Sequence, residues 1–110
     1  MKNLDREMLP GHWETLLLAR LARTEGYGYQ MRIDLAVCSR HYFQLAFGSL
    51  YPLLRTLEKR GLVRARWVKP AKRHEHKQYA ITPKGRAQLQ QRKRQWRQFS
   101  AAMERVLSQA

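Results

Sequence analysis

Residues 47–68 constrain the fold more than any other part of the chain, because their hydrophobic period changes once, at Gly61. Before Gly61, apolar residues recur at helical spacing, and four leucines share one narrow stripe: Leu50, Leu53, Leu54 and Leu57. After Gly61, bulky and β-branched residues alternate with charged ones, which is typical of a strand. The pattern therefore predicts a helix that ends at Gly61, a common helix terminator, and continues directly into a β-strand.

Two helices are predicted before this segment. The first follows Pro10 and is apolar on most of its circumference, so we expect it to be covered on more than one side. Gly26 and Gly28 should end it. The second helix spans residues 29–38, with Cys38 as a small core residue. The aromatic-rich connection at residues 42–45 is too apolar for a fully solvated loop, so part of it should be packed.

A returning strand and a long helix are predicted at the C-terminal end. Residues 76–81 alternate like a strand, and Thr82-Pro83 is a helix start with a capping hydroxyl and proline at the first position. The fold class is therefore mainly α with a small β-hairpin. Residues 1–82 are predicted to form a winged helix-turn-helix, and residues 83–110 one long C-terminal dimerisation helix.

Positive charge dominates the composition. The formal net charge is +14, and residues 61–110 alone carry 13 basic and 2 acidic side chains. A field of this sign attracts polyanions, of which nucleic acid is the commonest in a cytosol. A single cysteine excludes an internal disulfide framework and favours the cytoplasm. The sequence shows no apolar run of membrane-spanning length, so no membrane association is expected.

The face of the third predicted helix opposite the leucines is small, polar and basic. Gly48 lets the helix start approach a phosphate closely, and its free N–H groups can donate to it. Pro52 is expected in the first turn, where its missing N–H costs little. Arg55 can pair with guanine through two hydrogen bonds. We therefore predict a DNA-binding face made of Gly48, Ser49, Tyr51, Pro52, Arg55, Thr56 and Lys59. An ordinary solvated helix face is the alternative.

The predicted hairpin carries a second basic cluster. Lys69, Lys72, Arg73 and Lys77 fall within nine residues around its turn. A basic wing of this kind lies along the DNA backbone or enters the minor groove, so these four residues are also predicted DNA contacts. A solvated turn is the alternative here.

The last helix has an apolar stripe that the rest of the chain is too small to cover. At 1.5 Å per residue, about 25 residues extend roughly 37 Å. A second copy of the chain is the simplest cover, which predicts a homodimer. The dimerisation residues on this stripe are Leu89, Trp96, Phe99, Met103, Val106 and Leu107.

Trp96 and Phe99 allow two interpretations. They either pack across the dimer or line a space that holds a small aromatic ligand, with Trp13 and Met8 as candidate neighbours. Arg92 lies on the same stripe, and its charge is costly to bury in a dry interface. That cost favours a wet gap beside Trp96.

The chain resembles the PadR family of bacterial transcriptional regulators. Residues 48–54, GSLYPLL, correspond to the family pattern Gly-Thr-Leu-Tyr-Pro-hydrophobic-Leu. Ala46 departs from it, because the family usually has a small polar capping residue at that position. The other matching positions are the Leu-Glu pair at 57–58, Gly-Leu-Val at 61–63, Gly-Tyr at 28–29, Met31, Trp67, the Lys-x-Tyr-x-Ile-Thr-x-x-Gly run at 77–85, and the aromatic pair Trp96 and Phe99.

This resemblance spans residues 13–108 and is similar to the short subclass with a single C-terminal helix. It implies a homodimeric repressor, which binds double-stranded DNA through one recognition helix per protomer. In some members of the family, small aromatic or cationic ligands bind between the C-terminal helices and release the DNA.

Other classes of function have less support in the sequence. The carboxylates are scattered, and no phosphate-cradling glycine loop occurs, so we expect neither an enzyme nor a metal or cofactor site. A non-specific architectural DNA-binding protein would use the same charge without distinguishing bases. A protein-interaction module with an acidic partner is the third alternative.

Overall fold

The computed structural model of the protein describes residues 11–68 and 76–110. The helices and strands follow the predicted winged helix-turn-helix order, with one added short strand, β1. They are α1 (His12–Arg23), β1 (Gly26–Tyr27), α2 (Gly28–Cys38), α3 (Phe47–Lys59), β2 (Val63–Val68), β3 (His76–Ile81) and α4 (Pro83–Leu107). The predicted fold class is confirmed. None of the helices within the described ranges combines the length and the hydropathy that a membrane span requires.

The strands form an antiparallel sheet in the order β1-β3-β2. Val63 pairs with Ile81 and Trp67 with Lys77, so β2 and β3 make the predicted hairpin. The sequence predicted Gly26 as a helix end, but α1 ends at Arg23, and Gly26 pairs with Tyr79 in β1. Two residues are too few to show a strand period, which explains why the sequence pattern missed β1.

Helix α1 lies at the centre of the core. It contacts α2, α3, α4 and β3, which accounts for its nearly continuous apolar circumference. Three leucines of α1 and three of α3 are completely or almost completely excluded from solvent. The buried apolar residues are Trp13, Leu17, Leu18, Leu21, Met31, Leu45, Leu50, Leu54, Leu57, Leu62, Val63, Tyr79, Ile81 and Leu89.

The junction between α3 and β2 forms as the sequence predicts. Gly61 adopts a left-handed conformation, with φ of 75°, which a residue without Cβ reaches without strain. The amide of Leu62 then donates to the carbonyl of Leu57 at 2.9 Å and closes the helix end. The turn directs Leu62 and Val63 into the core, so α3 and the hairpin are joined without a long linker.

The start of α4 is fixed against the same junction. Thr82 caps the helix by accepting a hydrogen bond from the amide of Gly85 at 3.0 Å, and Pro83 occupies the first helical position. A Cβ atom on Gly85 would lie 2.1 Å from the carbonyl oxygen of Leu62. The helix therefore approaches the backbone after α3 more closely than any residue with a side chain would allow.

The structure corrects two local expectations in α2 and α3. Cys38 is exposed rather than part of the core, because the packed side of α2 ends before its last turn. Pro52 is the sixth residue of α3 and not in its first turn, since the helix begins at Phe47. It therefore leaves the carbonyl of Gly48 without its usual donor four residues later. In the 42–45 connection, Leu45 is buried and Tyr42 exposed, so this segment is packed in part.

Candidate nucleic-acid interface

The outward face of α3 is open to solvent along its whole length. Its inward face is fixed by three completely buried leucines, Leu50, Leu54 and Leu57. All seven residues predicted as DNA contacts on this helix are exposed: Gly48, Ser49, Tyr51, Pro52, Arg55, Thr56 and Lys59. Burial of one face therefore fixes the rotation of the helix, and the polar, basic face is the one presented outward.

Tyr51 connects the outward face of α3 to α2. Its ring lies so close to Gly28, the first residue of α2, that a Cβ atom there would be 3.0 Å from the Tyr51 hydroxyl oxygen. The amide of Tyr27 donates to the Oε1 atom of Gln30 at 3.0 Å, which holds the start of α2 in place. Tyr51 is therefore positioned by the backbone of the neighbouring helix while it stays partly exposed.

A hollow of about 410 Å³ separates α3 from the sheet. It is lined by Tyr27, Gly28, Tyr29, Tyr51, Arg55, Glu58, Trp67, His76, Lys77 and Tyr79. The Nζ atom of Lys77 lies 3.5 Å from a carboxylate oxygen of Glu58 and 5.8 Å from the centre of the Trp67 ring. Lys77, which the sequence assigned to the basic wing, therefore points across the hollow towards α3.

Tyr79 forms part of the wall of this hollow and stays protonated. Burial raises the pKa of its hydroxyl above the ordinary value, and the nearby carboxylate of Glu58 raises it further. The residue therefore contributes a neutral phenol beside Arg55 and Lys77, and does not cancel the positive charge of either.

Three of the predicted wing contacts, Lys69, Lys72 and Arg73, lie outside the described residues. On the described part of the hairpin, Arg66 is exposed and its guanidinium donates to the carboxylate of Glu25 at 2.8 Å. Gln78 donates to the same oxygen at 2.8 Å. These bonds tie the hairpin to the α1–β1 connection and so fix its direction relative to α3.

Phe47, at the start of α3, and its neighbour Arg32, in α2, were not among the predicted DNA contacts. The side chain of Phe47 is 54% exposed, and the guanidinium carbon of Arg32 lies 3.8 Å from the centre of its ring. The Nε atom of Arg32 donates to the carbonyl of Leu45 at 2.6 Å. Phe47 is apolar, and the predicted DNA contacts were chosen for small, polar or basic side chains, so residue type gave no signal for this position.

The predicted dimerisation stripe of α4 divides into two parts. Leu89 is only 2% exposed and belongs to the core of its own protomer. The remaining five members of the stripe are exposed: Trp96, Phe99, Met103, Val106 and Leu107. The far part of α4 therefore presents a continuous apolar surface to solvent, with the Trp96 and Phe99 rings 6.1 Å apart.

A groove of about 630 Å³ runs between α1 and α4 beside this surface. Its walls comprise Gly11, His12, Thr15, Leu16, Phe43, Gln88, Arg92, Lys93, Gln95, Trp96 and Phe99. Of the two proposed neighbours of Trp96, Trp13 is buried behind Phe43, which it contacts edge-on, and does not line the groove. Met8 lies outside the described residues.

Arg92 has its partners within the chain. Its guanidinium donates at 3.0 Å to the carboxylate of Glu14 and at 3.0 Å to the carbonyl of Gly11. Glu14 also accepts from Arg60, at the end of α3, at 3.0 Å. The charge of Arg92 is thus compensated by α1, so the expectation that Arg92 needs a wet gap in a dimer interface loses its basis.

A family model described as transcriptional regulator PadR-like family matches residues 17–91. A curated relative from Lysinibacillus sphaericus, described as an uncharacterized protein, is 24% identical over 90 residues, which are 82% of this chain and 83% of the relative.

Two solved structures illustrate the structural likeness. A PadR-like transcriptional regulator from Bacillus cereus is 30% identical, with a TM-score of 0.78 over 92% of this chain and 96% of its own. A PadR family transcription regulator from Clostridium difficile is 26% identical, with a TM-score of 0.77 over 88% of this chain and 99% of its own.

Proposed function

Because the chain belongs to the PadR-like family of transcriptional regulators, we propose that it is a homodimeric repressor that binds a specific DNA sequence through α3 and the hairpin. The resemblance inferred from the sequence motifs is confirmed by the family match. The observation that carries the proposal is the exposed, polar and basic face of α3, fixed by buried leucines on its other side.

In this proposal α3 enters the major groove, as the second helix of a helix-turn-helix does. Arg55 pairs with a guanine, Ser49 and Thr56 bond to base edges or phosphates, and Lys59 contacts a phosphate. The basic wing residues Lys69, Lys72 and Arg73 follow the backbone beside it. The +14 charge of the protomer supplies the long-range attraction to the polyanion.

Dimerisation is assigned to the second part of α4. Its exposed apolar side chains, from Trp96 to Leu107, form one stripe on a helix whose first turns are already packed against the protomer. A self-complementary contact between two such stripes removes both from water and sets two recognition helices at a fixed spacing. That spacing is what recognition of an inverted repeat requires.

A planar aromatic ligand is proposed to occupy the groove beside Trp96 and to release the DNA. The groove offers the flat faces of Trp96, Phe99 and Phe43 for stacking. It lies against Arg92, which is bonded through Glu14 to Arg60 at the end of α3. A ligand that displaces Arg92 therefore acts on a contact between α4, α1 and the recognition helix.

Two substitutions test the DNA-binding proposal. Arg55→Ala should weaken binding to a selected site by about 1–3 kcal/mol and affect random DNA less, if Arg55 contacts a base. Arg97→Ala is the matched control, because Arg97 is exposed on α4 and lies about 100° around the helix from Trp96, outside the apolar stripe. Equal losses for the two variants on the selected site would contradict the assignment of Arg55.

The ligand proposal has its own test. Tryptophan fluorescence is followed while planar aromatic compounds are added to the parent protein and to Trp96→Phe. Saturable quenching in the parent, lost in the variant, is the expected result. Trp13 and Trp67 emit in both proteins, so identical saturable quenching in both, or none in either, would leave Trp96 as a packing residue only.

A non-specific architectural DNA-binding protein is the second candidate. It is favoured by the distribution of charge, because residues 83–110 carry seven basic side chains and one acidic one without belonging to the recognition helix. The two candidates differ in the ratio of affinities for a selected site and for random DNA at the same salt concentration. A ratio near one would favour the architectural protein.

A further inference from the structure

The first turn of α3 is exposed to solvent. Four consecutive residues at this end are exposed: Ala46, Phe47, Gly48 and Ser49. Ala46 provides no side-chain cap, and the amides of Ser49 and Leu50 both donate to its carbonyl. Three of the four side chains are small or absent, so Phe47 is the one bulky group at the tip.

The ring of Phe47 is held in a defined position. The Arg32 guanidinium covers one of its faces at 3.8 Å, and Arg32 is itself fixed by its bond to the Leu45 carbonyl. A cation stacked on an aromatic ring is a stabilising contact even at a partly exposed site. The ring is thus already ordered, and binding loses little of its conformational freedom.

If α3 enters the major groove, the ordered, half-exposed ring of Phe47 lies at the end of the helix that faces the base edges. The N-terminal residues of a recognition helix are those that contact base edges in the major groove. The thymine methyl group is the apolar feature that this groove displays, and phenylalanine is one of the side chains that pack on it. Polar base edges gain nothing from a phenyl ring.

We propose that Phe47 determines part of the DNA sequence preference by packing its ring on the methyl group of a thymine. The inference rests on the proposed function, and it adds that one recognised base is a thymine and that Phe47 contacts it. Arg55 supplies a polar contact to a base, whereas Phe47 supplies an apolar one, eight residues and therefore a little over two turns nearer the helix start.

The test uses DNA in which one methyl group at a time is removed. A binding site is first selected from random duplexes with the parent protein, and each thymine in it is then replaced by uracil. At one position in each half-site, the parent should lose about fourfold in affinity, the value expected for one buried methyl group. Phe47→Ala should bind the thymine and uracil versions of that site equally.

Two further variants test whether the effect depends on an apolar side chain and on its position. Phe47→Leu retains an apolar side chain and should still prefer thymine at that position. Val37→Ala also shortens an exposed apolar side chain, but in α2, and should show the full parental preference. Thermal unfolding of each variant establishes that it is folded before its affinities are compared.

The outcomes separate this inference from the proposed function. If the parent binds every uracil-substituted site as well as the original, or if Phe47→Ala retains the parental preference, the role of Phe47 is disproved while specific binding stands. If no sequence is enriched from the random duplexes, the proposed function itself fails, and the role of Phe47 fails with it.

Discussion

The two parts of α4 have the same secondary structure and opposite surroundings. In the first part, Gly85 lies against the Leu62 carbonyl, Leu89 is buried, and Arg92 is bonded to α1. In the second part, the apolar side chains from Trp96 onwards are exposed. A single apolar stripe therefore includes residues buried in the core and residues exposed to solvent.

This difference shows that the residues of one continuous apolar stripe on a helix need not all pack against the same surface. Residues of the stripe near the fold pack inside the protomer, and those beyond its edge are left exposed to solvent. Helix α3 provides a useful contrast. Its exposed face is mostly small, polar and basic, so its chemistry suits a polyanion, whereas the exposed part of α4 suits another apolar surface.

The largest expected effect comes from Gly85→Ala. Its Cβ atom would overlap the Leu62 carbonyl oxygen at 2.1 Å, and neither backbone can yield without moving α4 away from the core. We expect a loss of roughly 3 kcal/mol or more in the free energy of unfolding, measured with urea. Gly48→Ala is the control, because a Cβ atom there meets nothing within 4 Å. Similar losses in both variants would contradict the close approach at Gly85.

Leucine truncation at two positions of α4 compares its two parts directly. Leu89→Ala should lower the free energy of unfolding by about 2–5 kcal/mol at every protein concentration, because it leaves a cavity in the core. Leu107 is 58% exposed, so Leu107→Ala should act only through the dimer, and its effect on unfolding should vary with protein concentration. An equal loss at both positions, independent of concentration, would contradict the division.

A smaller effect is expected from Glu14→Gln. The largely buried Glu14 carboxylate accepts from Arg92 and Arg60, both at 3.0 Å, and the amide removes its charge while keeping its shape. We expect a loss of about 1–3 kcal/mol in the free energy of unfolding. Glu25→Gln is the control, because the ion pair of Glu25 with Arg66 is exposed on both sides, and it should cost less than about 1 kcal/mol. A larger loss for Glu25→Gln than for Glu14→Gln would contradict our assignment of which ion pair matters.

The sequence predicted the fold class and the long helices and strands because their signals are local. The four leucines of α3, the glycine at its end and the Thr82-Pro83 start of α4 each act within a few residues. The features it missed depend on distant partners. The short strand β1 exists through pairing with β3, and Arg92 is neutralised by Glu14, 78 residues earlier in the chain.

The same distinction between local and distant causes applies to the candidate site. A helical repeat sets which side of α3 is outward, so the exposure of Arg55 and Lys59 follows from the buried leucines. The direction of Lys77 does not, since it depends on Glu58 in another element. The exposure of Cys38 was mispredicted for a related reason: spacing along α2 shows which side is apolar but not where its neighbour ends.

The most direct test of the account is the stoichiometry and specificity of the complex with selected DNA. Sedimentation of the protein with a duplex that carries the selected site should give two protomers on an inverted repeat, with half-site centres about 10 base pairs apart. Scrambling one half-site should abolish most of the affinity. A single protomer bound per site, or equal affinity for a scrambled duplex at the same salt concentration, would contradict a homodimeric, sequence-specific regulator.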